Sequence, residues 1–311
     1  MTSSNDALWA RTRGDLLLVP NLAYLDHAAA SVPPRQVIDA MTDYLSRTAQ
    51  VGPYLPAFRK ETYARVEAVR AAAAAFIGAQ AEEIAFTKNG TEAISLIARG
   101  LRWQPGDEVI ITNAEIMSNQ APWLRLQEAG LVNVRVVPVD DGGMIPLDVL
   151  AAMLTPRTRL IMLNTPHNPT GTVWHADDMQ KLAEILAPTN VLLLSDEVYE
   201  HMVYDGVPHA SVARIPELAR RAFVVSSFGK TYHVTGWKVG YVAAPAALSA
   251  EFRKVHQFNV FTVNTPVQHG LAGYMADPTP YLELPAFYQA KRDLFCDLLA
   301  GSRFRFTRAP G

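Results

Sequence analysis

The sequence predicts an α/β fold of three layers, α/β/α, built around a mainly parallel seven-stranded sheet. Three observations carry that expectation. Seven short apolar runs are spread over residues 84–243, and most are separated by stretches with helical periodicity. Such alternation calls for crossover connections, which make a parallel sheet covered on both faces. The chain has 311 residues, 49% hydrophobic and 19% charged, enough to bury a substantial core.

Taken in order, residues 1–50 read as an N-terminal arm or small-domain segment with one helix over 34–46. The alanine run at 71–75 belongs to a helix by propensity. A strand at 84–87 leads to a helix at 91–101 whose apolar positions are Ile94, Leu96, Ile97 and Leu101. A strand at 108–112 precedes a helix at 119–128, and a strand at 134–139 precedes a helix at 146–154. The strand 159–164 is followed by a helix at 177–186, and strands at 191–194, 222–226 and 239–243 complete the sheet. After Pro278 a helix at 285–299 leads to an expected strand at 304–307. This gives a large domain over 51–277 and the start of a C-terminal small domain over 278–311.

The formal net charge of −2 supplies no broad basic field, which argues against nucleic acid as a partner. Cys296 is the single cysteine, so no internal disulfide forms and a cytoplasmic setting is expected. The first nine residues lack the pattern of a signal peptide, and no apolar run is long enough to span a bilayer.

Chemistry concentrates where the apolar runs end. The run 160–163 delivers Asn164-Thr165-Pro166-His167-Asn168-Pro169-Thr170-Gly171. The run 191–194 delivers Ser195-Asp196-Glu197-Val198-Tyr199, and the run 222–225 delivers Ser226-Ser227-Phe228-Gly229-Lys230. An amide, a carboxyl group with a phenol, and an amine are thus carried to one sheet edge, where ligands of open α/β sheets bind. That set is what holding pyridoxal 5′-phosphate (PLP) as a Schiff base requires. Lys230 is the imine-forming amine, and the freed amine can act as general base and acid. Asp196, after a fully apolar strand, is assigned to the pyridinium nitrogen. At about 3 Å and an effective dielectric near 20, that pair gains roughly 5 kcal/mol before desolvation. Tyr199 and Asn168 donate to the ring oxygen, and the Asn168–Pro169 bond is expected to be cis. Asn89, Gly90 and Thr91 open a helix and offer amides and a hydroxyl to a phosphate, with Ser227 and Lys238 completing the cup. His27, His167, His201, His209 and His233 have no metal-ligand spacing, and no metal site is expected.

These residues resemble those of the fold-type I PLP-dependent aminotransferases. From about residue 160 onward the chain is similar to class I/II enzymes of the methionine and kynurenine aminotransferase-like group. Asn168-Pro169-Thr170-Gly171, Asp196-x-x-Tyr199, Ser227-x-x-Lys230 and Lys238 stand where that group keeps its cofactor contacts. The first half, through Tyr24-Leu25-Asp26-His27, Gly90-Thr91-Glu92-Ala93 and residues 114–123, resembles class V enzymes, among them cysteine desulfurases and isopenicillin N epimerase-like proteins. The seam falls near residues 150–165. Ile116 stands where class V keeps a histidine stacked on the cofactor ring, and the glycine-containing substrate loop of class I is absent. The resemblance implies a truncated C-terminal domain, with the arginine that grips the substrate carboxylate falling beyond Gly311; Arg303, Arg305 and Arg308 do not replace it.

The implied activity is transfer of an amino group from a methionine-, aromatic- or kynurenine-like amino acid to a 2-oxo acid, by a homodimer to which residues 261–266 contribute. Slow turnover, or none, is expected of a chain of this length. Two alternatives differ in class. One is class V chemistry such as cysteine desulfuration, which would need Cys296 mobile and accessible. The other is a non-catalytic PLP-binding dimer.

Overall fold

In the order of the sequence, strands form where apolar residues run without interruption, because both faces of the sheet are covered. The computed structural model describes residues 32–52 and 55–311, together with Gly14 and Leu17. The stretch Tyr24-Leu25-Asp26-His27 and most of the expected arm lie outside the described residues.

The seven strands are β1 (Ile84–Thr87), β2 (Glu108–Thr112), β3 (Asn133–Val137), β4 (Thr158–Asn164), β5 (Leu192–Asp196), β6 (Ala222–Ser227) and β7 (Gly240–Ala243). They form one sheet in the order β1-β7-β6-β5-β4-β2-β3. β3, β2, β4, β5 and β6 pair in parallel, whereas β7 is antiparallel to both β6 and β1. The expected mainly parallel seven-stranded sheet is therefore observed.

Alternate residues of each strand enter two separate cores. Ile110, Ile161, Leu163, Leu193, Val224 and Tyr241 point into one, and Val109, Ile111, Leu160, Met162, Leu194, Val225 and Val242 into the other. The first core is closed by a helix over Pro56–Ile77, through Val69, Ala73 and Ala74, and by one over Ala176–Leu186, through Met179, Leu182 and Ala183. The second is closed by helices over Gly90–Gly100, Met117–Glu128 and Ala246–Asn259, through Ile94, Ile97, Trp123 and Phe252. Burying a leucine, isoleucine or valine contributes roughly 1.5–3 kcal/mol, so these two layers are what hold the sheet.

Helix boundaries follow local chemistry. The Pro56–Ile77 helix stops at Gly78, which takes φ 72° and ψ 28°, a left-handed conformation that glycine adopts without Cβ strain. The Gly90–Gly100 helix begins at Asn89, whose side chain accepts the Glu92 amide at 2.8 Å. The N-terminal helix, Arg35–Val51, packs against Thr265–Met275 at Gly270, where an added Cβ would sit 2.9 Å from Val37.

One expectation from the sequence needs correction, and one stretch without an expected element proves helical. The strand expected at 304–307 does not form: this segment is coil, with Phe304 73% and Phe306 45% exposed. Its alternating Phe-Arg-Phe-Thr pattern suits a strand, but it pairs with neither edge strand, β1 nor β3, and an unpaired strand has no ladder to stabilise it. Helices over Ala246–Asn259 and Thr265–Met275 occupy a stretch for which the sequence reading gives no element. No helix of the described residues is long and apolar enough to cross a membrane.

Candidate active site

Sheet register explains why distant residues meet. Thr87 is opposite Gly240, and Gly240 is opposite Ser227. Asn164 is opposite Asp196, which is opposite Val225. The C-terminal ends of β1, β4, β5 and β6 and the start of β7 therefore share one edge of the sheet. The sequence-predicted set emerges along that edge: Asn89–Thr91 after β1, Asn168 after β4, Asp196 and Tyr199 at and after β5, and Ser227 with Lys230 at the end of β6. Lys238 precedes β7.

Within this set Lys230 lies on the short helix Phe228–Thr231 and is half-buried. Its Nζ stands 5.9 Å from the centre of the Tyr199 ring. The Asn168 Nδ2 donates to the Tyr199 hydroxyl at 3.5 Å. Both Thr165–Pro166 and Asn168–Pro169 are cis, the second as expected. Asp196 is 9% exposed, its Oδ1 accepting the Val198 amide at 3.2 Å. Burial pushes the Asp196 carboxyl up to about 6, against the pull of its hydrogen bonds from Asn119 and Val198. Burial also raises the Tyr199 phenol, and the charge of Asp196 adds to the effect.

At the other end, Gly90 and Thr91 are the first two residues of their helix, whose amides have no intrahelical acceptor. The Asn89 side chain is used as the cap, and its carbonyl accepts the Ala93 amide, the first bond of the helix. Lys88 and Glu92 pair beside it at 3.4 Å. Ser227 makes no side-chain capping bond to the helix that follows it. Lys238 is exposed and takes a left-handed backbone, φ 60° and ψ 57°. Gly240 allows the close crossing of β7 over β6, since a Cβ there would lie 2.7 Å from the Ser226 carbonyl oxygen. A concavity of about 480 Å3 elsewhere, which includes Asp140, Asp148, His175 and Lys181 in its lining, contains none of these residues.

Sequence reasoning missed a layer behind Asp196. Asn119 is fully buried, and its Nδ2 donates to Asp196 Oδ2 at 3.0 Å and to Glu115 Oε1 at 3.1 Å. Glu115 Oε1 also accepts from Asn164 Nδ2 at 2.7 Å and from the Ile116 amide at 3.0 Å. The Glu115-x-x-x-Asn119 pair, a carboxyl in the loop after β2 and an amide in the first turn of the helix that follows, is the signal that would have flagged them. Ile116 is half-buried in the same loop. Cys296 is buried in the helix over Leu284–Leu299.

Comparison with known proteins agrees with this architecture. The class-V aminotransferase family matches residues 23–204, more than half of the chain and across the expected seam. The chain belongs to the PLP-dependent aminotransferases of fold type I. Methionine aminotransferase of Escherichia coli (strain K12) is 45% identical over 230 residues, covering 74% of this chain and 58% of that protein. A probable N-succinyldiaminopimelate aminotransferase of Mycobacterium tuberculosis is 36% identical over 190 residues, covering 61% of this chain and 47% of that one. The chain thus spans about half the length of the curated relatives it matches. The crystal structure of YbdL from Escherichia coli, identified there as having a methionine aminotransferase function, superposes with a TM-score of 0.79 at 38% identity. It covers 90% of this chain and 72% of that one.

Proposed function

We propose that this chain binds PLP through Lys230 and takes part in moving an amino group between an amino acid and a 2-oxo acid. The observation that carries the reading is the meeting of Lys230, Tyr199, Asn168 and Asp196 at adjacent strand ends. The donor set fits the cofactor: an amine for the aldehyde, a buried carboxyl for the ring nitrogen, a phenol and an amide for the ring oxygen, and free helix-end amides for the phosphate.

When bound, PLP supplies an electron sink for negative charge developing on the substrate. The chain's own residues do the rest. Asp196, buried and ionised, holds a proton on the ring nitrogen. Tyr199 and Asn168 fix the ring oxygen. The Gly90 and Thr91 amides, the Thr91 and Ser227 hydroxyls and the Lys238 ammonium hold the phosphate. Lys230 Nζ takes a proton from the substrate carbon and returns it, as general base and acid. Ile116, whose amide donates to Glu115, would offer aliphatic surface to the ring face.

Methionine- or kynurenine-like donors are the substrate class favoured by the relatives' names, and an aromatic donor rests on the resemblance of the second half alone. A homodimer is the arrangement typical of the family, and Phe258 and Phe261, which are 88% and 78% exposed beside the 261–266 segment, offer apolar surface for it. The single cysteine supports a cytoplasmic setting. The buried Cys296 gives no support to desulfuration.

Adding PLP to apo-protein is expected to produce a visible absorption band that Lys230→Ala loses; absence of the band from the parent protein would sink the proposal. Screening amino donors for bleaching of that band then identifies the substrate class.

A further inference from the structure

Asp196 is not held by backbone alone. Its Oδ2 is fixed by the amide of Asn119, and both hydrogens of that amide are used, one on Asp196 and one on Glu115. Two buried carboxyl groups are therefore strung on one side-chain nitrogen. Two ionised carboxyls this close repel in a low-dielectric site, so one holds a proton more readily when the other is charged. The environment distinguishes them. Glu115 gathers three donors on Oε1 and none on Oε2, which lies 3.9 Å from His167 Nε2. A proton on Glu115 therefore resides on Oε2 without breaking any of the three bonds. Asp196 has donors on both oxygens, Asn119 on one and Val198 on the other, an arrangement suited to the ionised form. Burial raises Glu115, and the charge of Asp196 adds to that effect. The other ionisable groups facing the pair are Glu197, Tyr199 and His167.

We propose that Asn119 and a protonated Glu115 are positioning residues for Asp196: the Asn119 amide aims the carboxyl, and the neutral Glu115 lets Asp196 carry the charge. This deepens the PLP reading and rests on it.

The test measures PLP affinity from the visible band between pH 5.5 and 9, with urea unfolding of each apo-protein as a check on folding. Asn119→Asp removes both donations and adds a third carboxyl. It is expected to weaken PLP binding about tenfold or more, the scale of one or two lost charge-assisted hydrogen bonds, with the loss growing as pH rises. Glu115→Ala should weaken binding and shift its pH profile, whereas Glu115→Gln, the isostere of the protonated form, should restore both. Should Asn119→Asp not fold, Asn119→Ser, which keeps one donor, is expected to lose affinity in the same direction. Unchanged affinity and pH profile in the Asn119 variants, or Glu115→Gln as damaging as Glu115→Ala, overturns the proposal. Loss of the band from the parent protein instead overturns the PLP reading itself, so the two failures are separable.

Discussion

Replacing Asp196 by asparagine should stabilise the apo-protein while crippling its cofactor affinity, and the two opposite signs come from one buried charge. The carboxyl is raised from 3.8 to about 6 by burial. Between these values the folded form holds a proton that the unfolded chain has shed. The contribution of this group to stability is therefore fullest below 3.8, falls as pH rises through 6, and is flat above. Roughly two units correspond to about 3 kcal/mol at pH 8. The Asp196→Asn change removes that cost but turns the new side-chain amide toward either Asn119 or Val198, both donors, which takes back about 1 kcal/mol. The net expectation is an apo variant about 2 kcal/mol more stable than the parent at pH 8 and no more stable at pH 4. PLP binding should move the other way, because a pairing of roughly 5 kcal/mol before desolvation is lost. Urea unfolding at pH 8 and pH 4, with PLP titrations at pH 8, checks both. An apo variant less stable than the parent at pH 8, or undiminished PLP affinity, would refute the reasoning.

The same geometry sets the outcome of other perturbations. Glu200, whose carboxyl is pushed up to about 7 by burial although Tyr241 and Ser226 donate to it, makes apo stability fall as pH rises from 4.5 to 7. Glu200→Gln should flatten that slope in a plot of Tm against pH. Gly240→Ala sets a Cβ 2.7 Å from the Ser226 oxygen and 3.0 Å from the Ser227 Cβ. It should cost about 1–3 kcal/mol by urea unfolding and displace Ser227, weakening PLP binding. Asn89→Ala removes the helix cap and should cost about 1 kcal/mol, measurable by chemical denaturation.

The strands were legible because a sheet buried on both faces needs apolar residues at every position, as in residues 160–163 and 191–194. Lys230, Asp196, Tyr199 and Asn168 were legible because each comes closely after such a run. Asn119 was not, since its partner lies 77 residues away and only the sheet order brings the helix after β2 toward the end of β5. The helix over Thr265–Met275 escaped for a different reason. Val267, Gln268, His269, Gly270 and Leu271 are consecutively buried, so no one-sided stripe marks it. The segment at 304–307 misled because alternation describes a strand's faces and says nothing of a partner.

The antiparallel pairing of β7 with β6 has an architectural outcome. Residues 228–239 leave the sheet beside Ser227 and re-enter it at Gly240, directly opposite. This excursion is a bracket bolted at its base, with Ser227 at the bolt and Lys230 and Lys238 hanging from the bracket itself. Its outer side is tied down as well, with Tyr232 packed on Tyr274 and Tyr281 and His233 paired with Tyr288, so the amine and the cation are braced between the sheet and the C-terminal helices.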